Sequence, residues 1–236
     1  MKLGIMQPYY FPYIGYFQLI HAVDRYVFLD TTQYVRRGWM NRNRIINIKE
    51  GTTYITVPVE KSPQGTAIND MRIDNSKDWK NTTISQLNEV YKKRAPYFSE
   101  VIDLVRRTLD SSNDSLSELN IQSISCVFEY LEMPFEFDVF SKMDLDIPND
   151  CKGDEWTFHI TNRMGYETYI NPPGGRSFYD TEKFNAVGID LKFIQPNLSI
   201  YNQEIGRFES GLSILDVLMF NSVPDVRTML SDYKIL

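Results

Sequence analysis

The first 29 residues constrain the fold more than any other stretch. Residues 2–6, KLGIM, form a short apolar run closed by Gln7-Pro8, and proline cannot donate to a β-ladder. Phe17, Ile20 and Val23 then recur at helical spacing, with Leu19 filling the same face. That spacing predicts a helix over residues 13–23, with Pro12 suited to its first turn. Residues 26–29, YVFL, are a second apolar run. Strand, turn, helix and strand follow one another within about 30 residues, which is the pattern of a parallel βαβ unit.

The rest of the chain repeats this rhythm. Further strands are expected near 135–140, 168–171 and 190–195, the last halted by Pro196. Trp79, Ile84, Leu87 and Tyr91 predict one helix, capped by Asn75, Ser76 or Asp78 and stopped at Ala95-Pro96. Phe98 to Leu109 and Leu116 to Leu131 predict two more. A helix over 154–164 should end at Gly165, a short one at Gly188, and the last near Val226–Leu230. The segments TTQYVRRGWMNRNRI and TTYITVPVE read as an extended excursion, with Pro58 near a sheet edge. The polar run 141–155 reads as a flexible loop. The expected fold is an α/β, Rossmann-like parallel sheet in a single domain over residues 1–236. The helical segment 76–133 is an insertion or flank.

Composition narrows the function. The chain has 25 Lys+Arg against 31 Asp+Glu and a net charge of −6, which argues against general nucleic-acid binding. Two cysteines and two histidines leave little for a zinc cluster or a disulfide scaffold. No apolar run reaches the roughly 20 residues of a membrane span. The expected protein is cytoplasmic and acts on a small molecule. Neither a cofactor nor an oligomeric state can be read from the residues.

The turn after the first strand carries the chemistry. Tyr9, Tyr10, Phe11, Tyr13 and Tyr16 crowd it, where ligands of parallel sheets commonly bind. Aromatic rings can stack on a base or a sugar face, and the Gln7 amide can both donate and accept. Gly15 would let backbone approach a phosphate at a helix amino end. The stretch 13–24 resembles the H-x-G-H opening of HIGH-type nucleotidylyltransferases, followed by Leu19-Ile20, Ala22 and Asp24. Tyr13 and Tyr16 stand at both signature histidine positions. Next, Arg36, Arg37, Arg42 and Arg44 alternate with Gly38, Trp39, Asn41 and Asn43. Guanidinium forks match phosphate or carboxylate. If this segment is extended, Asn41 and Asn43 share one face and Arg42 and Arg44 the other.

Taken together, GIMQPYYFPYIGYFQLIHAVDRYVFLD, QYVRRGWMNRNRI with TVPVE, YKKRAPYF, YINPPGG with SFYD, and GLSILDVLMFN resemble the WbqC-like protein family. Such proteins are associated with O-antigen and other surface-polysaccharide gene sets. The resemblance implies work on a sugar or a sugar nucleotide, with modification of an amino sugar as one form of it. The leading expectation is a transferase or ligase that attaches an acyl or aminoacyl group to a nucleotide-linked amino sugar. The alternatives are a nucleotidylyltransferase-like enzyme and a non-catalytic sugar-nucleotide-binding subunit.

The residues themselves supply the site candidates. Asp30, which follows the second strand, or His21 would move a proton. Gln7, Tyr10, Gly15, Arg37, Asn41, Arg42 and Asn43 are expected to meet Asp30 in one cleft at the carboxyl edge of the sheet. Asn171 and Gly174 of YINPPGG are further binding candidates at the end of a later strand, although a tight turn explains them equally well. Ser213 and Asp216 read as a helix start. His21 and His159 also read as ordinary core or surface histidines.

Overall fold

The computed structural model describes residues 1–49, 51–110, 114–148, 151, 153–204 and 206–236. Its main sheet is built from β1 (Lys2–Met6), β2 (Arg25–Phe28), β5 (Phe137–Val139), β6 (Thr168–Asn171), β7 (Asp190–Pro196) and β8 (Tyr233–Ile235). The spatial order is β5-β2-β1-β6-β7-β8. All neighbours are parallel except β7 and β8. β1 and β2 pair with Leu3 opposite Arg25 and Met6 opposite Phe28, joined through α1 (Ile14–His21). This is the βαβ unit that the opening apolar runs predict.

The alternation along β1 and β2 shows why the sheet is covered on both faces. Leu3, Ile5, Val27 and Leu29 point into one core with Phe158, Ile160, Phe184 and Leu191. Those partners bring α5 (Glu155–Arg163) and α6 (Thr181–Asn185) to that face. Tyr26 and Phe28 point the other way, into a larger core with Phe17, Leu19, Phe128 and Leu230. That core holds α1, α4 (Leu116–Tyr130) and α8 (Val223–Leu230). It also holds Leu87 and Tyr91 of α2 (Trp79–Tyr91) and Val101, Leu104 and Val105 of α3 (Phe98–Leu109). These three helices α2–α4 precede β5 in the chain, over the stretch 76–133 that the sequence marks as helical. Gln18 is buried in α1. Its amide donates to the carbonyls of Asn197, Met229 and Asp232, which ties the carboxyl-terminal segment to the same layer.

Two features go beyond the sequence expectation. The extended excursion closes as an antiparallel hairpin of β3 (Arg42–Ile46) and β4 (Thr52–Thr56), outside the main sheet. The antiparallel β8 adds a last strand, pairing Ile194 with Ile235. In the polar run 141–155, residues 149, 150 and 152 lie outside the described residues. The start of that run is a 3-10 turn at Phe140–Lys142 rather than a free loop. Among the described residues no helix is long and apolar enough to cross a membrane.

The strand order sets where a ligand can enter. β1, β2 and β5 step outward in one direction, and β6 and β7 in the other. The reversal falls between β1 and β6. In open parallel sheets the crevice beyond the carboxyl ends at such a reversal is the usual binding position. Gln7 follows β1 there, and Asn171 ends β6 there.

Candidate functional site

The turn from β1 to α1 is held from several directions. The Tyr16 hydroxyl donates to the Gln7 carbonyl at 2.8 Å. The Asn120 amide of α4 donates to the Pro8 carbonyl at 2.9 Å and to the Met40 carbonyl at 2.7 Å. The Phe11 N–H donates to Ser123 Oγ at 3.2 Å. The Phe11 carbonyl accepts from Asn43 Nδ2 and from Ser213 Oγ, each at 2.8 Å. Phe11 needs this support because its φ is 39°, a left-handed backbone that costs a bulky residue roughly 1–3 kcal/mol. The Tyr10 N–H donates to the Trp39 carbonyl at 3.2 Å. The segment before β3 therefore packs directly over the turn.

A pocket of about 230 Å³ opens between these pieces, lined by Tyr9, Pro12, Tyr13, Trp39, Asn43, Arg44, Leu198 and Gly211. Leu198 follows β7, and Tyr13 is the N-cap of α1 with no side-chain capping bond. The pocket thus sits at the carboxyl edge of the sheet, at the start of the crossover helix. Its walls are three aromatic rings and one cation. The Arg44 guanidinium lies over the Trp39 ring, 5.7 Å from its centroid, and its Nη2 donates to the Gly211 carbonyl at 3.2 Å. Its Nε is buried without a partner. A guanidinium carries five donors, and the bond to Gly211 uses one of them. The Tyr9 hydroxyl donates to Gln7 Oε1 at 3.4 Å. Burial lifts the Tyr9 phenol to about 12, with the nearby Tyr13 phenol adding to the shift, and burial raises Tyr13 as well. Both are therefore neutral hydrogen-bond donors near pH 7 rather than bases. Gly15 shapes the same wall: a Cβ there would come within 2.4 Å of the Tyr13 ring.

The structure divides the residues that the sequence places in one cleft. Gln7 and Gly15 flank the aromatic pocket. Tyr10 is fully buried beside Phe11 in the core. On β3 the asparagines and arginines alternate as the strand period requires, and the asparagines are the inward set. Asn41 donates to the Val57 carbonyl at 2.8 Å, and Asn43 to Tyr10 and Phe11. Only Asn43 reaches the pocket wall. Arg37 and Arg42 line a different cleft, with Asn41 at its side. Asp30 is buried at the end of β2, where it accepts from the Ser141 N–H at 2.9 Å and the Ser141 hydroxyl at 2.6 Å. His21 is at the carboxyl end of α1, which antiparallel travel places at the amino edge of the sheet. There its ring faces Tyr233 and it shares a groove with Asp24 and Arg25. Burial lowers its pKa.

YINPPGG is built for packing as much as for access. Asn171 Oδ1 accepts from the Tyr169 hydroxyl at 2.8 Å, which lies 3.2 Å from the Tyr179 hydroxyl. A Cβ on Gly175 would fall 2.1 Å from Asn171 Nδ2, whereas Gly174 faces open space. Ser213 caps α7 (Ile214–Phe220) by accepting from the Leu215 N–H. Asp216 does more than start that helix. Its buried carboxylate accepts from Tyr91, Tyr201 and Gln203 at 2.7, 2.6 and 2.8 Å, and burial raises it to about 6. It anchors the segment between the pocket residues Leu198 and Gly211.

A family model matches residues 7–228 of this chain, which is nearly all of it. The chain belongs to the WbqC-like protein family. It is also similar to an uncharacterized protein, Rv1507c, of Mycobacterium tuberculosis (strain ATCC 25618 / H37Rv), with 31% identity over 223 residues that cover 93% of each chain. No solved structure gives a significant match. The matched span of the WbqC-like chain takes in the whole aromatic pocket, from Tyr9 to Gly211. The sequence points to the aromatic turn and the arginine segment and names Arg37 and Arg42 for binding, whereas the arginine that lines the aromatic pocket is Arg44. The sequence has no signal for Leu198 or Gly211, which reach the pocket only through the sheet order.

Proposed function

We propose that this WbqC-like chain binds a nucleotide-linked amino sugar in the aromatic pocket and transfers an acyl or aminoacyl group to the sugar amine. The observation that carries the reading is Arg44 over Trp39, facing Tyr9 and Tyr13, at the carboxyl edge beside the start of α1. About 230 Å³ suits one base or one pyranose ring rather than a whole sugar nucleotide. A ring stacks between the aromatics while the diphosphate meets Arg44 and the amino end of α1. The family's association with surface polysaccharides supports the sugar class, and a nucleotide-linked substrate places the reaction in the cytoplasm.

Catalysis in this reading rests on positioning. Among the described residues the pocket lining holds no carboxylate, imidazole or thiol, so the amine proton passes to water as the amide forms and the donor's bond to its leaving group breaks. Tyr9 and Tyr13 can donate to an oxygen of the acyl group as charge develops on it. The same lining favours a second reading, a sugar-nucleotide-binding subunit without turnover. A nucleotidylyltransferase has less support. At the second signature histidine position, the Tyr16 hydroxyl is committed to the Gln7 carbonyl.

The test is to incubate the protein with UDP-linked amino sugars, ATP and amino acids, or with acyl thioesters, and to weigh the products. A covalent adduct on the sugar supports the transferase. Saturable binding with no adduct supports the binding subunit. Absence of both would overturn the reading.

A further inference from the structure

The arginine segment serves two clefts. Arg42 and Arg44 lie on one face of β3, two residues and about 7 Å apart along the strand. Arg44 turns toward the aromatic pocket. Arg42 turns toward a separate cleft of about 380 Å³, lined by Arg36, Arg37 and Lys61 together with Tyr34, Thr56 and Ser62. This volume falls in the usual range for small-molecule sites. Glu60 is the one carboxylate in its lining.

Three observations mark this cleft as more than a solvated surface. First, Arg42 is held in place. Its guanidinium stacks on Tyr54, 4.3 Å from the ring centroid, and its Nη2 donates to the Arg37 carbonyl. Arg37 offers that carbonyl from a left-handed backbone, φ 61°, an uncommon conformation for a non-glycine residue. Second, Arg42 Nε is buried and has no partner, and a buried donor without a partner is costly unless a ligand supplies the acceptor. Third, these charges form no ion pair. Seven of the nine arginines outside the 36–44 segment pair with a carboxylate. Among the described residues, none of Arg36, Arg37, Arg42 and Lys61 does, although the chain is acidic overall, at −6.

We infer that this cleft is a second anion site, which takes the phosphate chain of a polyphosphorylated cosubstrate distinct from the sugar nucleotide. The inference builds on the proposed transfer reaction, which needs two substrates. Guanidinium forks from Arg36, Arg37 and Arg42 meet phosphate oxygens in pairs, and Lys61 adds a point charge. Tyr34 lines the site, and the Tyr54 ring backs the Arg42 guanidinium. Placing the two anion sites on one face of one strand brings both substrates to the same hairpin.

Calorimetric titration with inorganic tripolyphosphate in about 0.1 M salt tests this. One equivalent should bind saturably. Arg42→Ala should weaken it by about tenfold or more, the usual scale for one charge-assisted contact. The double variant Arg36→Glu, Lys61→Glu changes exposed side chains only, so it should fold normally and also lose the site. Arg44→Ala should leave tripolyphosphate binding within about twofold. Saturating tripolyphosphate should leave the affinity for UDP-glucosamine, which carries a free sugar amine, within the same margin. Tripolyphosphate that fails to saturate, that ignores the Arg36/Lys61 reversal, or that competes with the sugar nucleotide would overturn the inference. If tripolyphosphate binds as described while UDP-linked sugars do not bind at all, the second site stands and the sugar-nucleotide reading falls.

Discussion

Replacing Asn43 by alanine separates a residue that builds the site from one that touches the ligand. The Asn43 amide is buried, and it donates to the Tyr10 carbonyl at 3.2 Å and the Phe11 carbonyl at 2.8 Å. Its own carbonyl accepts from the Arg44 N–H at 2.8 Å. In Asn43→Ala the Phe11 carbonyl keeps Ser213 Oγ, but the Tyr10 carbonyl loses the side-chain donor that reaches it. One buried carbonyl left unsatisfied costs about 1–3 kcal/mol, and the vacated volume adds about 1 kcal/mol. The expected loss is about 2–4 kcal/mol, or roughly 5–12 °C in Tm for a chain of this length. Urea unfolding followed by circular dichroism should show a lower midpoint with an unchanged slope. Asn43→Asp should be worse than alanine, because a carboxylate would face two carbonyl oxygens. If Asn43→Ala stays within about 0.5 kcal/mol of the wild type, a surface-like effect, the support assigned to the Phe11 turn is wrong.

Other outcomes follow from the same geometry. Gly15→Ala should displace the Tyr13 ring, whose edge would be 2.4 Å from the new Cβ. It should weaken ligand binding in a titration while stability holds or rises by up to about 1 kcal/mol, since alanine is the better helix former. Asp30→Ala should cost about 1.5–3 kcal/mol of stability by releasing two bonds from Ser141. If it instead abolishes product formation with stability unchanged, Asp30 acts in the chemistry. Burial raises Asp216 from 3.8 to about 6, so the folded state keeps a proton that the unfolded chain releases in that window. Its contribution is therefore fully present below about pH 4 and falls as pH rises, by up to about 3 kcal/mol, until it levels off above the folded pKa. Denaturant melts of wild type and Asp216→Asn across about pH 4–7 should diverge with this sign, and a pH-independent difference would contradict it.

The parts of the fold that the sequence reveals are those carried by local period. KLGIM, the Phe17/Ile20/Val23 stripe and YVFL announce β1, α1 and β2 because each buries a face of its own. β8 does not announce itself. It is three residues long, Lys234 and Ile235 are exposed, and it exists as a strand because Ile235 finds Ile194. The site divides in the same way. The period of two along β3 foretells that asparagines and arginines take opposite faces. It cannot say which face turns inward. That depends on the carbonyls of Tyr10 and Phe11, some thirty residues upstream, which accept from the Asn43 amide and whose need for donors appears only once the turn is folded beneath the hairpin. A Rossmann-like edge likewise foretells that Gln7 and Gly15 lie at the carboxyl edge, beside the aromatic pocket. Leu198 and Gly211 join them through the placement of β7 and the Asp216 anchor, which no motif encodes.

Calorimetric titration of a UDP-linked amino sugar reads out whether Arg44 and Trp39 hold a sugar nucleotide at the carboxyl edge of β1. Wild type should bind one equivalent. Arg44→Ala should lose about 2 kcal/mol, roughly thirtyfold, at the low end for a charged contact in a shielded site because this side chain is partly open to solvent. Trp39→Ala should lose about 1–3 kcal/mol of stacking. Both variants should keep the wild-type melting temperature to within a few degrees. Equal affinity in wild type and Arg44→Ala, with both folded, would show that this pocket does not hold the sugar nucleotide.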